Sequence, residues 1–298
     1  MILAGELAGL GTAALFSLSA VLFTLASRRV GSARVNRFRL LVALLIACTL
    51  HWVTRGQPAP WDLSRNTWMW LAISGVIGLA VGDDLLFRAY VRVGPALSML
   101  VFTLAPVIAA LASTIVLGEL LSAREWTGIV VTVSGVASVV SERRRVEVPG
   151  ANRSYAAGLL FAFGGAAGQA LGLITAKLGL LEGASAQSGN VIRLLAAAAS
   201  AWIASAFLGR SGETLRAFRQ DGRARREVVL GAIVGPVAGV WLSLVAIDLA
   251  PVGVASTLMG VTPLFLLPIS RLVFHEPVTK RALLGTVAAL AGVALLLW

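Results

Sequence analysis

Asp83 and Asp84 stand side by side inside an apolar run that extends from Thr67 to Phe87. An ionisable side chain in such a run is costly, and by default it marks a functional position. A carboxylate placed there can exchange a proton. Arg88 follows Asp84 by four residues, a spacing that predicts an ion pair on one helix face near the headgroups. Asp83 lies on a different face and is the candidate for proton exchange. Arg39 and Arg193 each stand just inside another apolar run, where a guanidinium fork can grip a carboxylate. Long basic side chains near a helix end more often snorkel to the interface, and that is the expectation for both. The chain holds two histidines, His51 and His275, and one cysteine, Cys48. Neither a His-x-x-x-His pair nor a Walker loop occurs, so no catalytic set, metal site or cofactor is expected, and no ATP-driven step.

The elements that must position these residues are apolar throughout. Of 298 residues, 58% are hydrophobic and 13% charged, with a mean hydropathy of +0.87. A soluble domain carries about 25% charged residues. The apolar runs are continuous rather than alternating, which predicts helices and not barrel strands. A bilayer span needs roughly 20 apolar residues, and ten runs satisfy this approximately. They are Leu3–Ala26, Phe38–Val53, Thr67–Phe87, Ala96–Leu117, Trp126–Val140, Ala156–Ala176, Val191–Leu208, Val228–Leu249, Val254–Phe274 and Leu283–Trp298. The net charge of +11 reads as loop arginines of a membrane protein, not as a nucleic-acid surface.

The chain repeats itself. Gly82, Ala89, Pro106, Glu119, Gly128 and Gly135 match Gly239, Ala246, Pro263, Glu276, Gly285 and Gly292 at one offset of 157 positions. Asn36-Arg37-Phe38-Arg39-Leu40-Leu41 recurs, at a slightly smaller offset, as Asn190-Val191-Ile192-Arg193-Leu194-Leu195. The expected organisation is therefore residues 1–141 as one five-helix repeat, 142–153 as a linker and 154–298 as a second repeat. Five spans per unit is an odd number, so the second copy enters the membrane from the other side. The fold class expected is all-α integral membrane, with ten transmembrane helices as two inverted five-helix repeats, an arrangement typical of carriers.

Pro106 followed by Leu117-Gly118-Glu119-Leu120, Gly128 and Gly135 resembles the signature of the drug/metabolite transporter superfamily, in its EamA-like branch. The second half repeats it as Pro263, His275-Glu276-Pro277, Gly285 and Gly292, with His275 where the family usually has glycine. The resemblance implies a ten-helix carrier of small organic molecules, commonly an exporter of amino acids or related metabolites. It also implies a central cavity bounded by the first, third and fourth helices of each half. Glu6 is similar to the first-helix glutamate of the small multidrug transporters, but it sits so near the helix start that a dipole-favoured interfacial role is expected. Glu119 and Glu276, each beside a turn, are expected to cap or connect helices.

Charge placement tests the topology. Nineteen of the twenty-five Lys and Arg fall in alternate loops that share one face, and four (Arg55, Arg65, Arg124 and Lys177) on the other. The positive-inside rule puts the nineteen in the cytoplasm and both termini outside, whereas the resemblance implies termini inside.

A cavity is expected around the fourth and ninth spans. Met99, Thr103 and Pro106 follow one helical face, and Ser256, Gly260 and Pro263 the matched face. Each proline frees a carbonyl from its intrahelical bond, and such groups are tolerated where protein or a cavity satisfies them. The expected substrate-binding residues are Ser19, Met99, Thr103, Gln169, Trp241, Ser256, Met259 and Thr262, with Asp83 as the proton-coupling candidate. The glycine stripes Gly75, Gly78, Gly82 and Gly231, Gly235, Gly239 are expected to pack helices closely.

Together these features predict a secondary carrier in the cell membrane, multi-pass, working by alternating access as monomer or homodimer. Its partners are a small-molecule substrate and the lipid bilayer. Export of an amino acid or related amphipathic solute is favoured, with an uptake permease or a multidrug exporter as alternatives. The rival of another class is an intramembrane enzyme acting on a lipid; a channel lacks its charge ring.

Overall fold

A computed structural model describes residues 2–117, 121–146, 152–249, 258–275 and 278–297, and these residues hold helices and no strand. Among the described residues seven helices are long and apolar enough to cross a membrane: Ala4–Val30, Ser32–Arg55, Arg65–Val93, Pro95–Ala112, Ser154–Leu180, Ala186–Phe207 and Lys280–Leu297. Leu258–Phe274 is a shorter apolar helix. Helix α1 (Ile2–Val30) and helix α2 (Ser32–Arg55) overrun the apolar stretches read from sequence. Hydropathy marks the bilayer core, whereas backbone hydrogen bonding carries a helix on through its charged ends.

The third helical rod is composite. Helix α3 (Arg65–Ser74), whose N-cap Ser64 accepts from the Thr67 N–H, runs into a π-helical stretch, Gly75–Gly82, and then into α4 (Asp83–Val93). The second half repeats this device: α11 (Gly222–Ala232), then π-helical Ile233–Gly239, then α12 (Val240–Leu249). A wide turn leaves carbonyls poorly paired, and it is common at functional sites. The Asn36 amide donates to two of those carbonyls, Leu79 O at 3.2 Å and Ala80 O at 3.0 Å.

The fourth rod breaks as its proline dictates. Helix α5 (Pro95–Phe102) ends in a turn at Thr103 and Leu104, and α6 (Ala105–Leu117) resumes one residue before Pro106. In the second half a turn at Val261, 157 positions after Leu104, precedes α13 (Thr262–Phe274) and Pro263. Pro263 leaves Met259 O without its i+4 donor, and the Thr262 hydroxyl takes that place at 2.9 Å.

Helix α7 (Ala123–Val146) crosses α14 (Lys280–Leu297) at glycines. A Cβ at Gly128 would lie 2.7 Å from Gly292 O, and one at Gly135 would lie 2.6 Å from Gly285 O. Gly128 corresponds to Gly285 in the repeat and Gly135 to Gly292, so each glycine meets its partner's counterpart. Thr132 and its counterpart Ala289 meet between them, the Thr132 hydroxyl donating to Ala289 O at 3.3 Å. That reciprocity is the mark of a two-fold relation.

The remaining rods are α8 (Asn152–Leu180) and α9 (Ala186–Phe207), followed by α10 (Ser211–Gln220), a short amphipathic helix not read from the sequence. Its Thr214 and Phe218 are buried while Arg216 and Arg219 sit on its polar side. Helices reach into both ends of 142–153, to Val146 and from Asn152. Glu119, Glu276 and the cavity candidate Ser256 lie outside the described residues.

Candidate functional site

A cavity of about 740 Å³ lies between the two halves. Phe102, Thr103, Ala105 and Pro106 line it from one half, and their counterparts at offset 157, Met259, Gly260, Thr262 and Pro263, line it from the other. Of the residues expected to bind substrate, Met99, Thr103, Gln169, Met259 and Thr262 are on its wall. Ser19 is not: its hydroxyl donates to Gly231 O at 2.9 Å and is spent on helix contact with α11. Trp241 lies in α12, but its side chain is outside the described residues.

Both threonine hydroxyls already donate to backbone, Thr103 to Leu100 O at 2.6 Å and Thr262 to Met259 O. Toward a solute they are therefore acceptors, and among the described residues of the wall the Gln169 amide is a donor with no hydrogen-bond partner. Thioethers of Met99 and Met259 supply an adaptable apolar surface. From this level the lining runs along α8 through Leu173 and Leu178 to Leu181 just past its end, and along α14 to Leu297. Those helix ends share a face with Ser64 and Thr67, whose hydroxyls both lie within hydrogen-bonding distance of Glu182. This is the arginine-poor face.

Toward the opposite face the space is sealed by aromatic packing. Phe23 lies 5.1 Å from Phe87 between ring centroids, and Phe87 stacks on Tyr90 at 5.6 Å. The Tyr90 hydroxyl donates to the Met99 sulfur at 3.1 Å, tying the seal to the cavity wall. Behind the rings Arg39 Nη2 meets Asp83 Oδ2 at 2.6 Å, with the guanidinium over both Phe23 and Phe87. Arg39 thus does not snorkel: the carboxylate 44 positions on and two ring faces offer it more than the interface does. Asp84 pairs with Arg88 at 2.6 Å, as the i, i+4 spacing predicts.

Arg193 differs from its repeat counterpart. Val240 stands where Asp83 would recur in the second half; among the described residues Arg193 has no carboxylate in ion-pair contact, its Nε is buried without a partner, and its electrostatic partner is Asp83. Sequence reasoning missed both the Arg39–Asp83 pair and this asymmetry. The signal was present in the repeat comparison, where an aspartate in one copy faces a valine in the other.

A multi-helix membrane protein made of two homologous halves, with a cavity lined by matched segments of each, has the construction of a carrier. The profile of the EamA-like transporter family matches residues 3–141 and again 156–298, and the chain belongs to that family. It is therefore a multi-pass membrane protein of a family of transporters. No curated protein matches the sequence. A solved structure titled only "Crystal structure of protein" shares 18% identity, with a TM-score of 0.63 over 98% of this chain and 94% of that one. At that identity the likeness bears on fold alone.

Proposed function

We propose that this protein is a secondary carrier that moves a small amphipathic organic solute by alternating access, with ten spans arranged as two inverted repeats. The observation that carries the reading is the cavity wall itself, built from the same four positions of each half around two matched proline breaks. A site on the boundary between inverted repeats is where rocking of one half against the other exposes a solute first to one side and then to the other. Export of an amino acid or related metabolite is the preferred direction and class; uptake is the alternative.

Asp83 remains the proton-coupling candidate. It is enclosed between the halves and held by Arg39, so a proton can take it only when that contact opens. Flux of labelled amino acids and small organic cations into proteoliposomes, with and without a pH gradient, tests the reading. Gradient dependence lost in Asp83→Asn and kept in Asp84→Asn supports coupling at Asp83; full gradient-driven flux in both variants ends it.

A further inference from the structure

We infer that the arginine-rich face carries a binding cleft for the headgroup of an anionic phospholipid. The cleft, about 510 Å³, lies where the start of α2, the end of α4 and the start of α10 converge, and Arg34, Arg37, Arg88, Arg92, Arg210 and Glu213 line it. Two of these arginines are already paired, Arg34 with Glu213 at 3.0 Å and Arg88 with Asp84 at 2.6 Å. Arg37, Arg92 and Arg210 have no carboxylate within ion-pair distance among the described residues. Arg37 is fixed by Ser205 and by Ala33 O, and it feels the like charges of Arg34 and Arg210 as well as the carboxylates of Asp84 and Glu213, which lie beyond ion-pair distance. Arg92 is held over the Phe161 ring at 4.6 Å. Three guanidiniums with no direct ion pair among the described residues, held in one concave site, call for an anion with several acceptor oxygens, and a phosphodiester supplies them.

The surroundings select a lipid over a soluble phosphate. Helix α9 ends beside the cleft, where the Trp202 indole donates to Arg37 O at 3.1 Å. That end presents Ile203, Phe207 and Leu208 at 56%, 88% and 66% exposure. An apolar strip leading directly to Arg210 fits acyl chains continuous with a headgroup in the cleft. Amphipathic α10 lies over the same face with Leu215 exposed beside Arg216 and Arg219, as an interfacial helix does. Basic clefts between spanning helices are suited to anionic headgroups.

The test uses the full chain in detergent, given equal amounts of phosphatidylglycerol and phosphatidylcholine and examined by native mass spectrometry. Phosphatidylglycerol adducts dominate in the wild type, and the preference falls about fivefold for each arginine removed in Arg92→Gln and Arg210→Gln. Arg92→Lys with Arg210→Lys keeps most of it, which separates lost charge from lost fold, and Arg55→Gln with Arg65→Gln on the other face leaves it unchanged. Equal binding of the two lipids, or an undiminished preference in the double Gln variant, overturns the site. Displacement of phosphatidylglycerol by millimolar inorganic phosphate overturns the lipid as its occupant.

Discussion

Arg39 and Asp83 are in contact at 2.6 Å with side chains only 7% and 14% exposed, bridging the second and third helices of the first half directly behind the aromatic seal. Removing one partner of a buried pair leaves an uncompensated charge, which costs about 3–5 kcal/mol, whereas replacing both with apolar groups of similar volume is near neutral. Arg39→Met and Asp83→Leu are therefore each expected to lower the thermal unfolding midpoint in detergent, and the double variant to recover part of the loss, since Arg193 still loses Asp83 as its electrostatic partner. Additive losses would show that the two residues act independently.

The α7–α14 crossing depends on glycine at Gly135, where a Cβ would lie 2.5 Å from the Ala289 nitrogen and 2.6 Å from Gly285 O. Backbone cannot yield as a flexible side chain does, so Gly135→Ala is expected to destabilise by about 1–3 kcal/mol. Gly212→Ala on α10, where a Cβ meets nothing within 4 Å, changes stability by less than about 0.5 kcal/mol. Equal midpoints for the two variants in the same detergent would remove the close crossing.

His275 closes α13 with φ 57° and ψ 29°, its N–H donating to Ser270 O. Among the described residues it is the non-glycine residue with positive φ. The left-handed conformation costs a residue with a Cβ about 1 kcal/mol or more, which explains physically why glycine is usual here. His275→Gly is expected to raise stability by about that amount, and a lowered melting temperature would contradict it.

Access to the cavity is directional. In a Cys48→Ser background, Gly260→Cys, at a wall position where an added Cβ meets open space, reacts with a membrane-impermeant maleimide applied to the face of Arg55 and Arg65. Tyr90→Cys, within the seal, does not react from that face. Labelling of Gly260→Cys only from the arginine-rich face would invert the assignment of open and closed ends.

What could be read from the sequence follows the range of the interactions. The helical character of the apolar runs, the repeat, the proline positions and the Asp84–Arg88 pair are local or periodic and have structural counterparts, while of the ten expected spans seven are long and apolar enough among the described residues. The two π-helical stretches are not legible, because Gly75, Gly78 and Gly82 read equally well as a packing stripe on a regular helix. That stripe does pack, with Gly82 against Gly168 and Gly78 against Gly172. The Arg39–Asp83 contact joins residues on different helices, and a single sequence holds no measure of that distance. Ser19 lies at the depth of a cavity residue yet faces α11, since which way a helix turns its polar side chain is settled by its neighbours. Helix α10 escaped notice because its apolar positions are few and its arginines read as loop.

The most direct test of a solute path between the halves is uptake of labelled amino acids and small organic cations by proteoliposomes carrying the wild type or Gly260→Trp. The indole occupies the cavity between Thr103 and Thr262 while the rest of the fold stays in place. Transport through this cavity gives saturable uptake of a solute by the wild type and at least a tenfold loss in Gly260→Trp with its melting temperature unchanged. Equal uptake by the two proteins, or none of any solute by the wild type, would contradict it.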